Sequence, residues 1–169
     1  MKLNIIVAVD TMGGFGKEGK IPWSMTEDME HFKKTTNEHV CVMGRRTYID
    51  MLTMRLGDKK PTKNFSLLPN RNSYVITSDD NYATLGSTRM DSLSAVLKKY
   101  RNTDREVFVL GGYRMFVEAL SYKPIIHMTI IKGDNYECDV RFPIKILNNY
   151  RIMSGNETEQ CYYVKYIPI

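Results

Sequence analysis

Asp28 is the first residue in this chain whose setting suggests chemistry. Met25, Asp28, Met29 and Phe32 recur at helical spacing on one face, which places a carboxylate among apolar side chains, where a charge is costly unless it has a partner. Two readings follow from the pattern: an acid in a first helical turn that complements the helix dipole, or an acid in an apolar cleft that pairs with a cationic or amidine-like ligand. A second pattern is a strand running into Gly111-Gly112, then Tyr113, Arg114 and a helix. Missing β-carbons let a phosphate approach backbone amides at a helix N-terminus. A tight turn uses the same residues, and the spacing is not the dinucleotide G-x-G-x-x-G. Gly44-Arg45-Arg46-Thr47 repeats the arrangement with two cations and a hydroxyl added. Two such junctions in one small sheet point to a phosphate-bearing cofactor, because ligands bind off the carboxyl ends of parallel strands.

The elements that must position these residues are readable from periodicity. Residues 3–9 (LNIIVAV) form a buried strand ending at Asp10, and Gly13, Gly14, Gly16, Gly19 and Pro22 then mark a loop. Ser24 with Glu27 is a capping-box pattern opening a helix, with Glu27, Glu30, His31, Lys33 and Lys34 on the wet face. Residues 40–43 are a strand, and a helix over 45–54 groups Tyr48, Met51 and Leu52. Residues 53–69 are a polar, basic loop or insertion. Residues 73–77 form a strand, and Asp91 or Ser92 caps a helix carrying Leu93, Val96, Leu97 and Tyr100 inward. A strand at 106–110 precedes a short helix with Phe116, Ala119 and Leu120 inward. Residues 124–131 and 161–167 are strands with no helix expected between them. The pattern implies an α/β fold: a mostly parallel central sheet with an antiparallel C-terminal edge, flanked by about four helices.

Composition excludes several classes. The chain has 169 residues, 43% hydrophobic and 25% charged, which suits a single domain over 1–169. A chain of this length hides roughly 70% of its unfolded surface and needs no metal or disulfide to hold a core. Cys41, Cys138 and Cys161 lack metal or disulfide spacing, and a reducing cytoplasm is expected. The net charge of +5 is dispersed among acids, so no nucleic-acid partner is expected. The N-terminal apolar run is too short for a signal or a membrane span. His31, His39 and His127 lack metal-ligand spacing and read as surface or packing residues, so no metal is expected. No G-x-S-x-G elbow occurs. Met25, Met29 and Met51 are core filler or the lining of an adaptable groove, and Trp23 is a buried ring or a wall at the mouth of a site.

The stretch IIVAVDTMGGFGKEGKIPWSMTEDMEHFKKTT resembles the first strand, mobile loop (G-K-x-G-x-(L/I)-P-W) and acid-bearing helix of the dihydrofolate reductase family. VMGRRTY, LPNR before a strand ending ITS, VFVLGGYRMF, HMTII and CDVRFP follow in that family's order, covering most of residues 3–143. The resemblance implies a dihydrofolate-reductase-like fold and NADPH-dependent reduction of dihydrofolate. It assigns Asp28 and Thr129 to the catalytic centre. Ile6, Val7, Met29, Phe32, Met51, Leu68 and Leu110 would line the substrate pocket, with Arg71 on the glutamate carboxylate of the folate tail. Ala8, Phe15, Gly16, Ile21, Gly44, Gly111, Gly112, Tyr113, Met115 and Phe116 would lie against the cofactor, and Arg45, Arg46, Thr47, Thr77, Ser78 and Arg114 would hold its phosphates. Departures from the family pattern are a 53–67 insertion of about a dozen residues, Phe116 where many members have Tyr, Arg46 where some have His, and Ile21 where the position is often Met or Leu. A cytoplasmic monomer that binds antifolates is the implied setting. Two competing readings are a riboflavin-pathway pyrimidine reductase, which would not need Asp28, Thr129 and Arg71 together, and a pteridine- or nucleotide-binding protein without turnover.

Overall fold

The computed structural model describes residues 1–18, 21–133 and 136–169; Gly19, expected in the glycine-rich loop, lies outside them. In chain order the elements are β1 (Lys2–Val9), β2 (Gly14–Gly16), α1 (Thr26–Thr36), β3 (Val40–Gly44), α2 (Arg45–Leu56), β4 (Asn72–Ile76), β5 (Thr88–Met90), α3 (Leu93–Tyr100), β6 (Glu106–Val109), α4 (Tyr113–Leu120), β7 (Ile125–Ile131), β8 (Val140–Arg141), a 3-10 helix (Ile144–Asn149), β9 (Tyr150–Glu157) and β10 (Cys161–Pro168). Eight strands form one sheet in the order β5-β4-β3-β6-β1-β7-β10-β9, and β2 pairs with β8 apart from it. The pairings from β5 to β7 are parallel. Strand β10 is antiparallel to both of its neighbours.

The central strands are continuous apolar runs because both faces are covered. In β3 the pleat sends Val40 and Val42 into one core cluster with Ile5, Val7, Val109 and Phe116. Its alternate residues Cys41 and Met43 enter a second cluster with Tyr48, Leu67, Leu68 and Val75. Helix α3 starts where its hydroxyl cap predicts, with the Ser92 Oγ accepting from the Ala95 N–H at 3.1 Å.

Four expectations change. The Ser24–Glu27 box does not form: α1 begins at Thr26 with Met25 at its N-cap and no side-chain cap bond. Glu27 is drawn away by better partners, accepting from the Thr158 hydroxyl at 2.8 Å and from the Tyr163 hydroxyl. Helix α2 runs two residues further than expected, to Leu56. Between β7 and β10 lie the 3-10 helix and β9, where no helix was expected; β9 is exposed along nearly its whole length and so shows no buried alternation.

The insertion after α2 is anchored at its far end. Arg55 donates to the carbonyls of Ser66 and Leu67, and the Leu67 N–H donates to the Gly86 carbonyl at 3.0 Å. Gly86 has φ +67°, and a β-carbon there would stand 2.6 Å from the Leu67 nitrogen. Gly86→Ala therefore destabilises the protein by about 1–3 kcal/mol. A thermal melt matching wild type would show that this anchor yields freely.

Candidate active site

The parallel strands all present their carboxyl ends on one edge of the sheet, where the two glycine junctions, Thr77 and Thr129 lie, while Leu68 and Arg71 precede β4 at the strands' amino ends. Asp28 sits half-buried in the first turn of α1. Burial raises its pKa from the ordinary carboxylate value; the Thr129 hydroxyl and His31 pull it back, and Glu27 pushes it further up. Thr129 is 2% exposed on β7, in register with Ala8 of β1 and Tyr163 of β10. The carboxylate thus has the Thr129 hydroxyl as a hydrogen-bond partner in addition to its place in the first helical turn.

Ile6 and Ala8 share one face of β1. Val7 points the other way, into the core with Val9 and Met128, so its side chain is not part of the pocket wall. Phe32, one turn beyond Asp28, packs with Met51, Leu52 and Leu110 against the cluster holding Leu68. Met29 is 38% exposed at the rim. Arg71 is half-buried, with Nε donating to the Pro69 carbonyl at 3.0 Å and Nη1 to the Thr36 Oγ1 at 3.1 Å. Its guanidinium carbon lies 5.8 Å from the Phe32 ring centroid. Burial lowers the Arg71 pKa; Cys41 opposes this, and Arg55 reinforces it. Among the described residues no carboxylate lies within ion-pair distance of Arg71. A partly desolvated, unneutralised cation beside an apolar wall suits an anionic ligand.

The two glycine junctions abut. Gly44 and Gly112 are the N-caps of α2 and α4, neither with a side-chain cap bond, and the Gly44 N–H donates to the Gly111 carbonyl at 2.9 Å. Gly111 and Gly112 are joined by a cis peptide bond. Gly111 has φ +129°, and a β-carbon there would meet the Thr47 Oγ1 at 3.2 Å and the Phe116 ring at 3.4 Å. Two helix N-termini thus lie side by side behind a surface free of β-carbons, a cradle suited to phosphate or to a closely approaching ring.

Met115 and Phe116 stand behind this cradle. Both are buried, and the Phe116 ring packs edge-on against Phe15 at 5.4 Å and Phe142 at 5.6 Å. They buttress the glycines and offer little surface to a ligand. Tyr113 and Arg114 are exposed, as are Arg45 and Arg46 at the start of α2. Arg45 lies 4.2 Å over the Tyr82 ring. Thr77 is buried just past β4, its Oγ1 accepting from the Asp79 N–H at 3.2 Å, while Ser78 is exposed. The nearby Asp80 and Asp91 carboxylates are taken up by Arg89.

The loop after β1 is pinned at its near end. The Asp10 Oδ1 accepts from the Met12 and Gly14 N–H groups, each at 2.8 Å. Asp139 holds the next turn, its N–H donating to the Gly16 carbonyl and its Oδ2 accepting from the Glu18 N–H, both at 2.9 Å. Past that turn, Ile21 is 59% exposed, and Trp23 packs edge-on against Tyr136 at 5.3 Å.

Sequence reasoning placed Glu27 and His31 on the wet face and gave Tyr163 no role. In the fold Glu27 is bonded to Tyr163 and Thr158, and the His31 ring lies 4.3 Å from the Tyr163 ring. No local signal marks Tyr163, whose importance comes from pairing opposite Thr129. Among the described residues no group of three or more His, Cys, Asp and Glu side chains could hold a metal ion, and no helix is long and apolar enough to cross a membrane.

The chain matches the family model for dihydrofolate reductase over residues 2–166. It is 29% identical over 157 residues to the dihydrofolate reductase of Staphylococcus aureus (strain MSSA476), covering 93% of this chain and 87% of the relative. It is 30% identical over 155 residues to that of Bacillus subtilis (strain 168), covering 92% and 83%. Among solved structures it resembles the dihydrofolate reductase from Enterococcus faecalis complexed with NADP(H) and RAB-propyl, with TM-score 0.81, 26% identity, and coverage of 99% of this chain and 96% of that one.

Proposed function

Because this chain belongs to the dihydrofolate reductase family and catalyses that family's reaction, we propose how its residues divide the reduction of 7,8-dihydrofolate to tetrahydrofolate. Asp28 grips the amidine-like edge of the pterin, and Thr129 bonds both that carboxylate and the pterin amino group. Ile6, Met29, Phe32, Met51, Leu68 and Leu110 wall the pocket, and Arg71 takes the tail carboxylate. The observation that carries this reading is the half-buried Asp28 beside Thr129 at the sheet edge that also bears the glycine cradle.

The cradle fits a phosphate-bearing cofactor, and NADPH when bound supplies the hydride. Gly44, Gly111 and Gly112 let that cofactor approach the backbone, beside Ala8, Phe15, Gly16, Ile21 and Tyr113. Arg45, Arg46, Thr47, Thr77, Ser78 and Arg114 meet its phosphates, with Met115 and Phe116 supporting from behind. Asp28 keeps a negative field near the ring and thereby favours the protonated pterin, with water as the immediate proton donor, since the carboxylate is already committed to the amidine edge. The loop through Gly16, Ile21 and Trp23 excludes bulk water. An eight-stranded sheet that joins strands from β1 to β10 supports a single domain over 1–169, and the setting we propose for it is a cytoplasmic monomer, with antifolates competing for the same pocket.

The arginine set makes a direct prediction. NADH lacks the ribose phosphate that Arg45, Arg46, Ser78 and Arg114 can neutralise, so kcat/KM for NADH falls below that for NADPH by about tenfold or more. Steady-state rates with dihydrofolate check this, and equal values would remove the phosphate assignment.

A further inference from the structure

On the antiparallel side of the sheet, two cross-strand rows of polar side chains share one face. Lys165 of β10 pairs with His127 of β7 and with Ser154 of β9; two residues away, Tyr163 pairs with Thr129 and with Asn156. Helix α1 covers one end of these rows, its His31 ring lying 4.3 Å from the Tyr163 ring. A cleft of about 280 Å³ remains, lined by His31, His127, Ser154, Asn156, Tyr163 and Lys165.

Gly155 and Val164 complete the lining, whose polar side chains are hydrogen-bond donors and imidazoles without a carboxylate. Three acids lie near the cleft without lining it: Glu27 accepts from the lining residue Tyr163 and from Thr158, Glu106 is engaged with Asn4 and His39, and Asp28 bears on His31. Among the described residues Lys165 has no acidic partner within ion-pair distance. The Asn4 amide nitrogen donates to the Val107 carbonyl at 3.4 Å and to the Glu106 Oε1 at 3.3 Å, so its oxygen accepts from the His127 Nε2–H at 3.1 Å. That bond leaves Nδ1 as the nitrogen that takes a second proton. Burial holds the His127 pKa down to about 4, Lys165 and His31 add to this, and Glu106 opposes it. Burial also lowers the His31 pKa, with Lys34 reinforcing and Asp28 and Glu27 opposing. Two neutral imidazoles thus adjoin an ammonium that lacks a counter-ion.

We propose that this cleft is a second ligand site, separate from the folate and cofactor sites, for a phosphoryl oxyanion: inorganic phosphate or a small phosphomonoester. Lys165 supplies the charge, and the Ser154 hydroxyl and the Asn156 amide donate hydrogen bonds. His127 and His31 bind or share the proton that such an oxyanion carries near neutral pH. An anion placed beside them favours their charged forms, so occupancy raises both histidine pKa values.

The chain has three histidines, which makes proton NMR of their ring C2–H resonances a direct readout. Inorganic phosphate is titrated into the NADPH-saturated enzyme against chloride at matched ionic strength, with the cofactor's own phosphate-binding residues already filled. Phosphate should shift the His31 and His127 resonances saturably and raise their apparent pKa values by about one unit or more, while His39 moves far less. Lys165→Gln should abolish the response without changing turnover, and Ser154→Ala should weaken it severalfold. A parallel titration with glycerol 2-phosphate distinguishes a site for monoesters from one for the free ion. Equal responses to phosphate and chloride, or a Lys165→Gln protein that responds like wild type, would overturn the proposal.

Discussion

Asp28→Asn lowers kcat at neutral pH by at least about a hundredfold, the usual scale of a proton-transfer contribution. The amide keeps the size of the side chain and one hydrogen bond to the pterin edge, but it cannot favour a protonated ring. Activity of the variant recovers as pH falls, because solvent protonation of the substrate replaces what the carboxylate supplied. Stability moves differently. Burial raises the Asp28 pKa in the folded protein, so between the unfolded and folded values the folded state binds more proton, and this residue's contribution to stability falls as pH rises through that window. The Asn variant carries no such cost at neutral pH and should melt no lower than wild type there. A loss of turnover with an undiminished melting temperature separates a catalytic acid from a structural one. Full neutral-pH turnover in the variant would remove Asp28 from the mechanism.

Arg71→Leu raises KM for dihydrofolate by about tenfold to a hundredfold, the equivalent of roughly 1.5–3 kcal/mol for a charge-assisted pair, and changes kcat much less. A clamp on a remote carboxylate binds the ground and transition states alike, so its loss appears in KM. The bonds to the Pro69 carbonyl and the Thr36 hydroxyl fix the guanidinium beside Phe32 in spite of the preceding insertion. Arg71→Lys should recover only part of the affinity, because an ammonium lacks the planar fork that matches a carboxylate. An unmoved KM would transfer the role to Arg55, whose charge already bears on Arg71.

Local sequence determined a good deal of this protein. Strands β1, β3, β4, β6 and β7 are legible because their apolar runs are buried on both sides and bounded by glycine or polar turns. Helix α3 is legible because Ser92 supplies its cap and Leu93, Val96, Leu97 and Tyr100 all turn inward. Asp28 and the two glycine junctions stand out as chemistry because a lone acid on an apolar face and β-carbon-free strand ends are anomalies visible within a few residues.

Tertiary structure decided whatever depended on partners distant in the chain. Glu27 was equally suited to cap a helix, and its choice rests on Thr158 and Tyr163, which lie 131 and 136 residues away. Strand β9 is nearly all exposed and exists because β10 offers it an edge, so no burial pattern announces it. The pleat of β1 separates Val7 from Ile6, and packing turns Met115 and Phe116 inward as buttresses, though family likeness alone groups each pair with a binding surface. The cleft of His31, His127 and Lys165 has no sequence signature. Strand register and the seating of α1 bring the three together, and both are set by the summed packing of the whole sheet, which no short window of residues contains.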